Sequence, residues 1–150
     1  MKAFPDTSFL CSLYRLQVFS ARAVAAMALR DGSLPVSSLL LLEFRQSLRF
    51  HSRLYANDRA KGFPREDADL MRGRLQADLA TSVLQTVAVD WAEVHQRAEA
   101  LSARYTESGG HRLADILHVA TALHLGAEEF LTFDANQKKL AVAEGLKVRV

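Results

Sequence analysis

Between His111 and Val148 the chain runs HRLADILHVATALHLGAEEFLTFDANQKKLAVAEGLKV, a pattern that alternates helix, strand, helix and strand. Leu113, Ile116, Leu117, Ala120 and Leu123 recur at helical spacing, and Gly126 stops that helix. Glu129 to Thr132 is short and extended with an apolar centre, and Asp134 stands where the chain leaves it to enter a second helix, Ala135 to Glu144, ended by Gly145. A strand that feeds a helix puts its exit residue at the carboxyl edge of a parallel sheet, where open α/β folds keep their sites. Asp115 opens the first helix of this stretch. Two acids are thereby expected at one edge.

Upstream, Lys2 to Pro5 reads as a brief extended segment and Asp6-Thr7-Ser8 precedes a long helical pattern from Phe9 to about Arg30, closed by Asp31-Gly32. Leu34 to Ser37 is the next strand, with Ser37 or Ser38 capping a helix that carries Leu39 to Phe50. Pro64 can start a second helical arm, Arg65 to Ala80. Val83 to Val89 reads as a strand, Asp90 as a cap, and Trp91 to Tyr105 as an amphipathic helix, with Glu107 to Gly110 a flexible connection. Strands that alternate with helices imply an α/β fold with a mostly parallel central sheet. Neither a repeat nor a low-complexity segment interrupts it.

With 150 residues, 49% of them apolar, residues 1–150 suit a single domain that buries about two thirds of its unfolded surface. Cys11 is the only cysteine, which excludes an internal disulfide. The opening MKAFPDTSFL lacks the apolar core of a signal peptide, and no run approaches about 18 uninterrupted apolar residues. A soluble, cytoplasmic protein without a membrane segment is expected.

Four acids stand out from this background. Asp6 and Asp134 sit at strand exits, where each also suits a helix N-cap. Asp115 sits at a helix mouth, where the helix dipole favours it. Glu43 falls past the first turn of its helix and inside an apolar run, so the dipole does not explain it; its ordinary role is a boundary residue paired with Arg45, Arg49 or water. Position alone does not separate ordinary from functional roles. Jointly, four carboxylates converging on one edge would repel and take up protons unless a cation neutralised them. An all-oxygen donor set without a cysteine or paired histidines selects Mg²⁺ or Mn²⁺ over zinc.

Neighbouring polar residues have supporting roles open to them. Thr7 and Ser8 can cap a helix or hold a carboxylate, and Thr132 stands beside the last strand exit. His118, one turn beyond Asp115, can hydrogen-bond that carboxylate or simply be a satisfied helix histidine. Net charge is only +2, but committing four of the 17 acids to a cation leaves 13 against 19 Lys and Arg. Arg45, Arg49, Arg53, Arg59, Lys61 and Arg65 face Asp58 alone in their segment, either an ordinary solvated surface or one suited to a polyanion.

The runs ADILHVATALHLG and FLTFDANQKKLA, with the opening FPDTSFL and the central LLLLEFRQSLR, resemble the PIN domain in its branch of VapC-type toxins, over essentially the whole chain. The resemblance implies a three-layer α/β/α fold with a protruding helical pair. It further implies metal ligation and catalysis by Asp6, Glu43, Asp115 and Asp134, and hydrolysis of RNA phosphodiester bonds by a Mg²⁺-activated water. It brings a homodimer and a small antitoxin partner with it. Asn136 stands where some relatives carry a further Asp; it can orient water or offer a carbonyl, but brings no charge. Two alternatives are a PIN-fold module that binds RNA or a partner without cleaving, and an aspartyl-nucleophile phosphatase. The latter wants a second acid two residues after Asp6, where Ser8 stands.

Overall fold

The computed structural model describes residues 2–150. Eleven elements follow in order: β1 (Ala3–Pro5), α1 (Thr7–Tyr14), α2 (Ser20–Ala28), β2 (Leu34–Val36), α3 (Ser38–Asn57), α4 (Arg65–Ala80), β3 (Leu84–Thr86), α5 (Trp91–Gly109), α6 (Leu113–His124), β4 (Glu129–Leu131) and α7 (Ala135–Ala143). This is the mixed α/β architecture that the alternation predicts. All strand pairing is parallel: β1 pairs with β4, Phe4 opposite Phe130, and β2 with β3, Pro35 opposite Gln85.

The sheet is not stitched along its whole width. β1 packs beside β2, yet the hydrogen-bonded ladders form two separate pairs. Both strands at this seam carry a proline, Pro5 and Pro35, and proline has no N–H to give a ladder. Side chains hold the seam instead. Ala3, Phe4, Leu34 and Val36 are all buried in one continuous apolar core with Phe9, Phe44 and Phe130.

Three local expectations are corrected. The helical pattern from Phe9 to Arg30 breaks into α1 and α2, because the Ser20 hydroxyl takes the Arg15 carbonyl (2.9 Å) and the Gln17 N–H (2.8 Å) that a continuous helix would need. The connection before Asp115 is shorter than Glu107 to Gly110, since α5 runs on to Gly109 and closes on Gly110 at φ 66°. The last strand, near Val148, is reduced to one bridge between Glu129 and Lys147.

α3 and α4 form the expected helical pair. α3 alone is 20 residues, about 30 Å long. The pair is braced against α1 by Tyr14, whose hydroxyl donates to Asp78 (2.6 Å) and whose carbonyl accepts from Arg74 (2.9 Å). At the far end the Phe63 ring stacks on His51 with centroids 5.0 Å apart, and the Arg15 guanidinium lies over Phe63. Gly62 makes that closure possible: its φ is +64°, and a Cβ there would lie 2.1 Å from the His51 carbonyl oxygen. Among the described residues no helix is long and apolar enough to cross a membrane.

Candidate active site

The carboxyl ends of β1 and β4 lie side by side, because the parallel register continues one step into Asp6, whose N–H donates to the Leu131 carbonyl at 3.0 Å. Asp6 is fully buried. Its Oδ1 accepts from the Ser8 hydroxyl (2.6 Å) and the Phe9 N–H (2.9 Å), so it caps α1 as its sequence position predicts. Its Oδ2 accepts from the Thr132 hydroxyl (2.5 Å) and the Gln137 side-chain amide (2.8 Å). Burial still wins, and it pushes the carboxyl up to about 6 against the pull of Ser8, Thr132 and the Phe9 N–H.

Thr132 links this group to the next acid. Its Oγ1 accepts from the Asp134 N–H at 3.0 Å, and Ser8 Oγ lies 3.3 Å away and accepts from the Phe133 N–H. Asp134 caps α7 through Oδ1, which accepts from the Asn136 and Gln137 N–H groups, both at 2.8 Å. The Asn136 side-chain amide donates to the Gly109 carbonyl at 3.3 Å, which ties the start of α7 to the end of α5.

Glu43 reaches the same edge from α3. Its predicted partners, Arg45 and Arg49, do not touch it. Instead its Oε2 accepts from the Thr7 hydroxyl (2.5 Å) and meets His118 Nε2. Burial raises the Glu43 carboxyl, but His118 and Thr7 outweigh it and leave Glu43 below its ordinary range. His118, fully buried on α6, thus serves Glu43 rather than Asp115, and its Nδ1 has no partner.

Asp115 stands in the first turn of α6, one turn before His118, with the Arg112 guanidinium 3.6 Å away. Burial raises its carboxyl, Arg112 opposes, and the like charges of Asp134 and Glu43 add to the rise. The structure therefore brings acids from β1, α3, α6 and the β4 exit into one electrostatic neighbourhood. Among the described residues no three potential ligands already close on a single point.

The donor set nevertheless suits a hard cation. It is all oxygen, and Cys11, near Asp6 and Glu43, is no competitor: burial and those two negative charges push its thiol up to about 12, so it supplies no thiolate. The mutual repulsion felt at Asp115 is what a cation would relieve.

Gln137 is the residue that reading the sequence missed. Asp134-Ala135-Asn136-Gln137 has the spacing of a capping box, in which the fourth side chain returns to the cap. Here it reaches across to Asp6, and its Oε1 is left buried without a partner. Helical register points Gln137 back toward the strand ends, but only the neighbouring strand shows what it meets.

The chain belongs to the PIN domain family, whose pattern it matches over residues 3–143. Its shape follows two crystal structures of low sequence identity. One is VapC20 of Mycobacterium tuberculosis, described as a sarcin-ricin loop cleaving toxin, with a TM-score of 0.65 and 19% identity over 99% of each chain. The other is FitAcB from Neisseria gonorrhoeae, with a TM-score of 0.64 and 17% identity, covering 99% of this chain and 96% of that one. No curated protein sequence matches the chain.

Proposed function

We propose that this chain is a divalent-metal-dependent endoribonuclease, the toxin of a toxin–antitoxin pair, with Asp6, Glu43, Asp115 and Asp134 as ligands for Mg²⁺ or Mn²⁺. The observation that carries the proposal is geometric: Thr132 bonds both the Asp6 carboxylate and the Asp134 N–H at the ends of β1 and β4, while Asp115 and the His118 that meets Glu43 stand one turn apart on α6. PIN membership and likeness to VapC20 support the toxin branch. A small antitoxin that covers the acidic edge, and a homodimer, complete the proposal.

When bound, the cation would supply Lewis acidity at the phosphoryl oxygen and a more acidic water. The residues have separable tasks around it. Asp115 and Asp134 retain oxygens that no hydroxyl or amide occupies, so they are the readiest ligands. Glu43, kept ionised by His118 and Thr7, is suited to ligate through water or to orient the attacking water, and its lowered pKa makes it a weak proton acceptor. Thr132, Ser8 and Gln137 hold Asp6 in place. Asp6 joins the ligand set by releasing one of those donors.

Asp115→Asn is expected to reduce Mg²⁺-dependent RNA cleavage at least a hundredfold while the far-UV circular dichroism spectrum stays unchanged. Undiminished cleavage, with contaminating nuclease excluded, removes the proposal. One observation favours a second reading, a non-cleaving RNA-binding module: all four acceptor positions of Asp6 are filled. RNA affinity without any metal-dependent turnover would identify it. The phosphatase alternative stays the weaker one, because Ser8 stands where that chemistry wants a second acid.

A further inference from the structure

The outer side of α3 carries a row of cations that the acid cluster does not account for. Arg45, Arg49 and Arg53 stand four residues apart, so they share one side of the helix and climb about 6 Å per step. Leu40, Phe44 and Leu48, all fully buried, take the opposite side and turn the row toward solvent. Arg15, Arg30, Arg72, Arg104 and Arg112 are each matched to an acid. Among the described residues no acid pairs with Arg45, Arg49 or Arg53.

Phe50 sets an aromatic ring beside the row. It lies two turns beyond Glu43 on the same side of α3, between the Glu43 row and the arginines, and it is 54% exposed. The His51 ring stands perpendicular to it with centroids 6.4 Å apart, so no ring is stacked parallel on it among the described residues. A half-exposed aromatic beside uncommitted guanidinium groups is the surface that single-stranded nucleic acids require: cations for the backbone and a π face for an unstacked base. A duplex keeps its base faces hidden and has no use for such a ring. The row begins next to the acids, since Ser37 caps α3 at the end of β2 and Glu43 lies in the second turn.

We propose that the outer side of α3 is the track for a single-stranded segment of the substrate RNA, with Arg45, Arg49 and Arg53 on successive phosphates and Phe50 stacked on a base. The choice of RNA rests on the nuclease reading above. The strand runs along α3 and enters the acidic edge at Glu43.

The test is fluorescence anisotropy of a labelled single-stranded oligoribonucleotide with the full chain in EDTA, so that binding is measured without cleavage. The variants are the triple substitution Arg45→Gln, Arg49→Gln, Arg53→Gln and the single substitution Phe50→Ala, with melting temperature and sedimentation checked for each. The triple variant should bind at least tenfold more weakly near 0.15 M salt and flatten the slope of log K against log salt by about 2. Phe50→Ala should weaken binding by about fivefold or more without changing that slope. The unaltered chain should prefer the single strand to a duplex of the same sequence. Undiminished binding by a folded triple variant overturns the track, as does a preference for duplex. So does a triple variant that keeps RNA affinity but loses self-association or binding to polyglutamate, which would assign the row to a protein contact. Metal-dependent cleavage is scored separately. Its absence with arginine-dependent binding removes the nuclease reading and leaves the track, whereas cleavage with arginine-independent binding removes the track alone.

Discussion

Asp6 has exchanged water for four protein donors, and the exchange is not free. In the fold it holds its proton up to about pH 6, whereas an unfolded aspartate releases it near 3.8. Above pH 6 the ionised form therefore costs the metal-free fold on the order of 3 kcal/mol. As pH falls from 6 toward 4 the native state takes up the proton first, and the cost disappears. Asp6→Asn should consequently melt several degrees higher than the parent chain at pH 8 in chelator, and the difference should close by about pH 4. Scanning calorimetry across that range checks it; a lower melting temperature at pH 8 would contradict it. The unpartnered Gln137 Oε1 adds a reason for the gain, since a rotated Gln137 can accept from the new amide. The four acids stood out in the sequence because each breaks a pattern or sits at an element boundary. Their partners did not, because hydrogen bonds such as Thr7 to Glu43 and Gln137 to Asp6 join residues 36 and 131 positions apart. No local spacing encodes such pairs.

At the scale of elements, periodicity marked the helical and extended stretches, but it merged α1 and α2 into one helix and misjudged where some elements stop. The break between α1 and α2 depends on Ser20 bonding backward to Arg15, a choice that a helical pattern of apolar residues does not register. The trimmed final strand has the same origin, since a single bridge at Lys147 depends on what β4 leaves unpaired. Turn residues were more legible, as Gly126 and Gly145 show by taking left-handed φ just past α6 and α7, and Gly62 is the most crowded of the glycines. Gly62→Ala combines a left-handed backbone with a Cβ driven into the His51 carbonyl, so the end of α3 or the loop must move. The expected loss is at least about 2 kcal/mol. Chemical denaturation read by circular dichroism measures it, and a change within about 0.5 kcal/mol would show that the loop relaxes freely.

For the whole molecule, the cation and the fold should be linked. A ligand that binds only the native state stabilises it by RT ln(1 + [L]/Kd), about 2.7 kcal/mol at a hundredfold excess over Kd. For a chain of this size that corresponds to about 5–10 °C. Saturating Mn²⁺ is expected to raise the melting temperature by that amount in the parent chain and to leave an Asp115→Asn, Asp134→Asn double variant unmoved. An equal rise in both would place the cation elsewhere. The same variants should melt close to the parent in EDTA, because neither residue belongs to the apolar core.

The proline seam bears on how the acidic edge is held together. Asp6 and Asp134 ride on one hydrogen-bonded ladder, while Glu43 follows from the other, and the boundary between the ladders passes through the cluster. Only side chains span that boundary at the acids: Thr7 to Glu43, and His118 reaching across from α6. The two ladders are thus tied at the acids by side chains, so Thr7→Val removes one of those ties without breaking any hydrogen bond between strands.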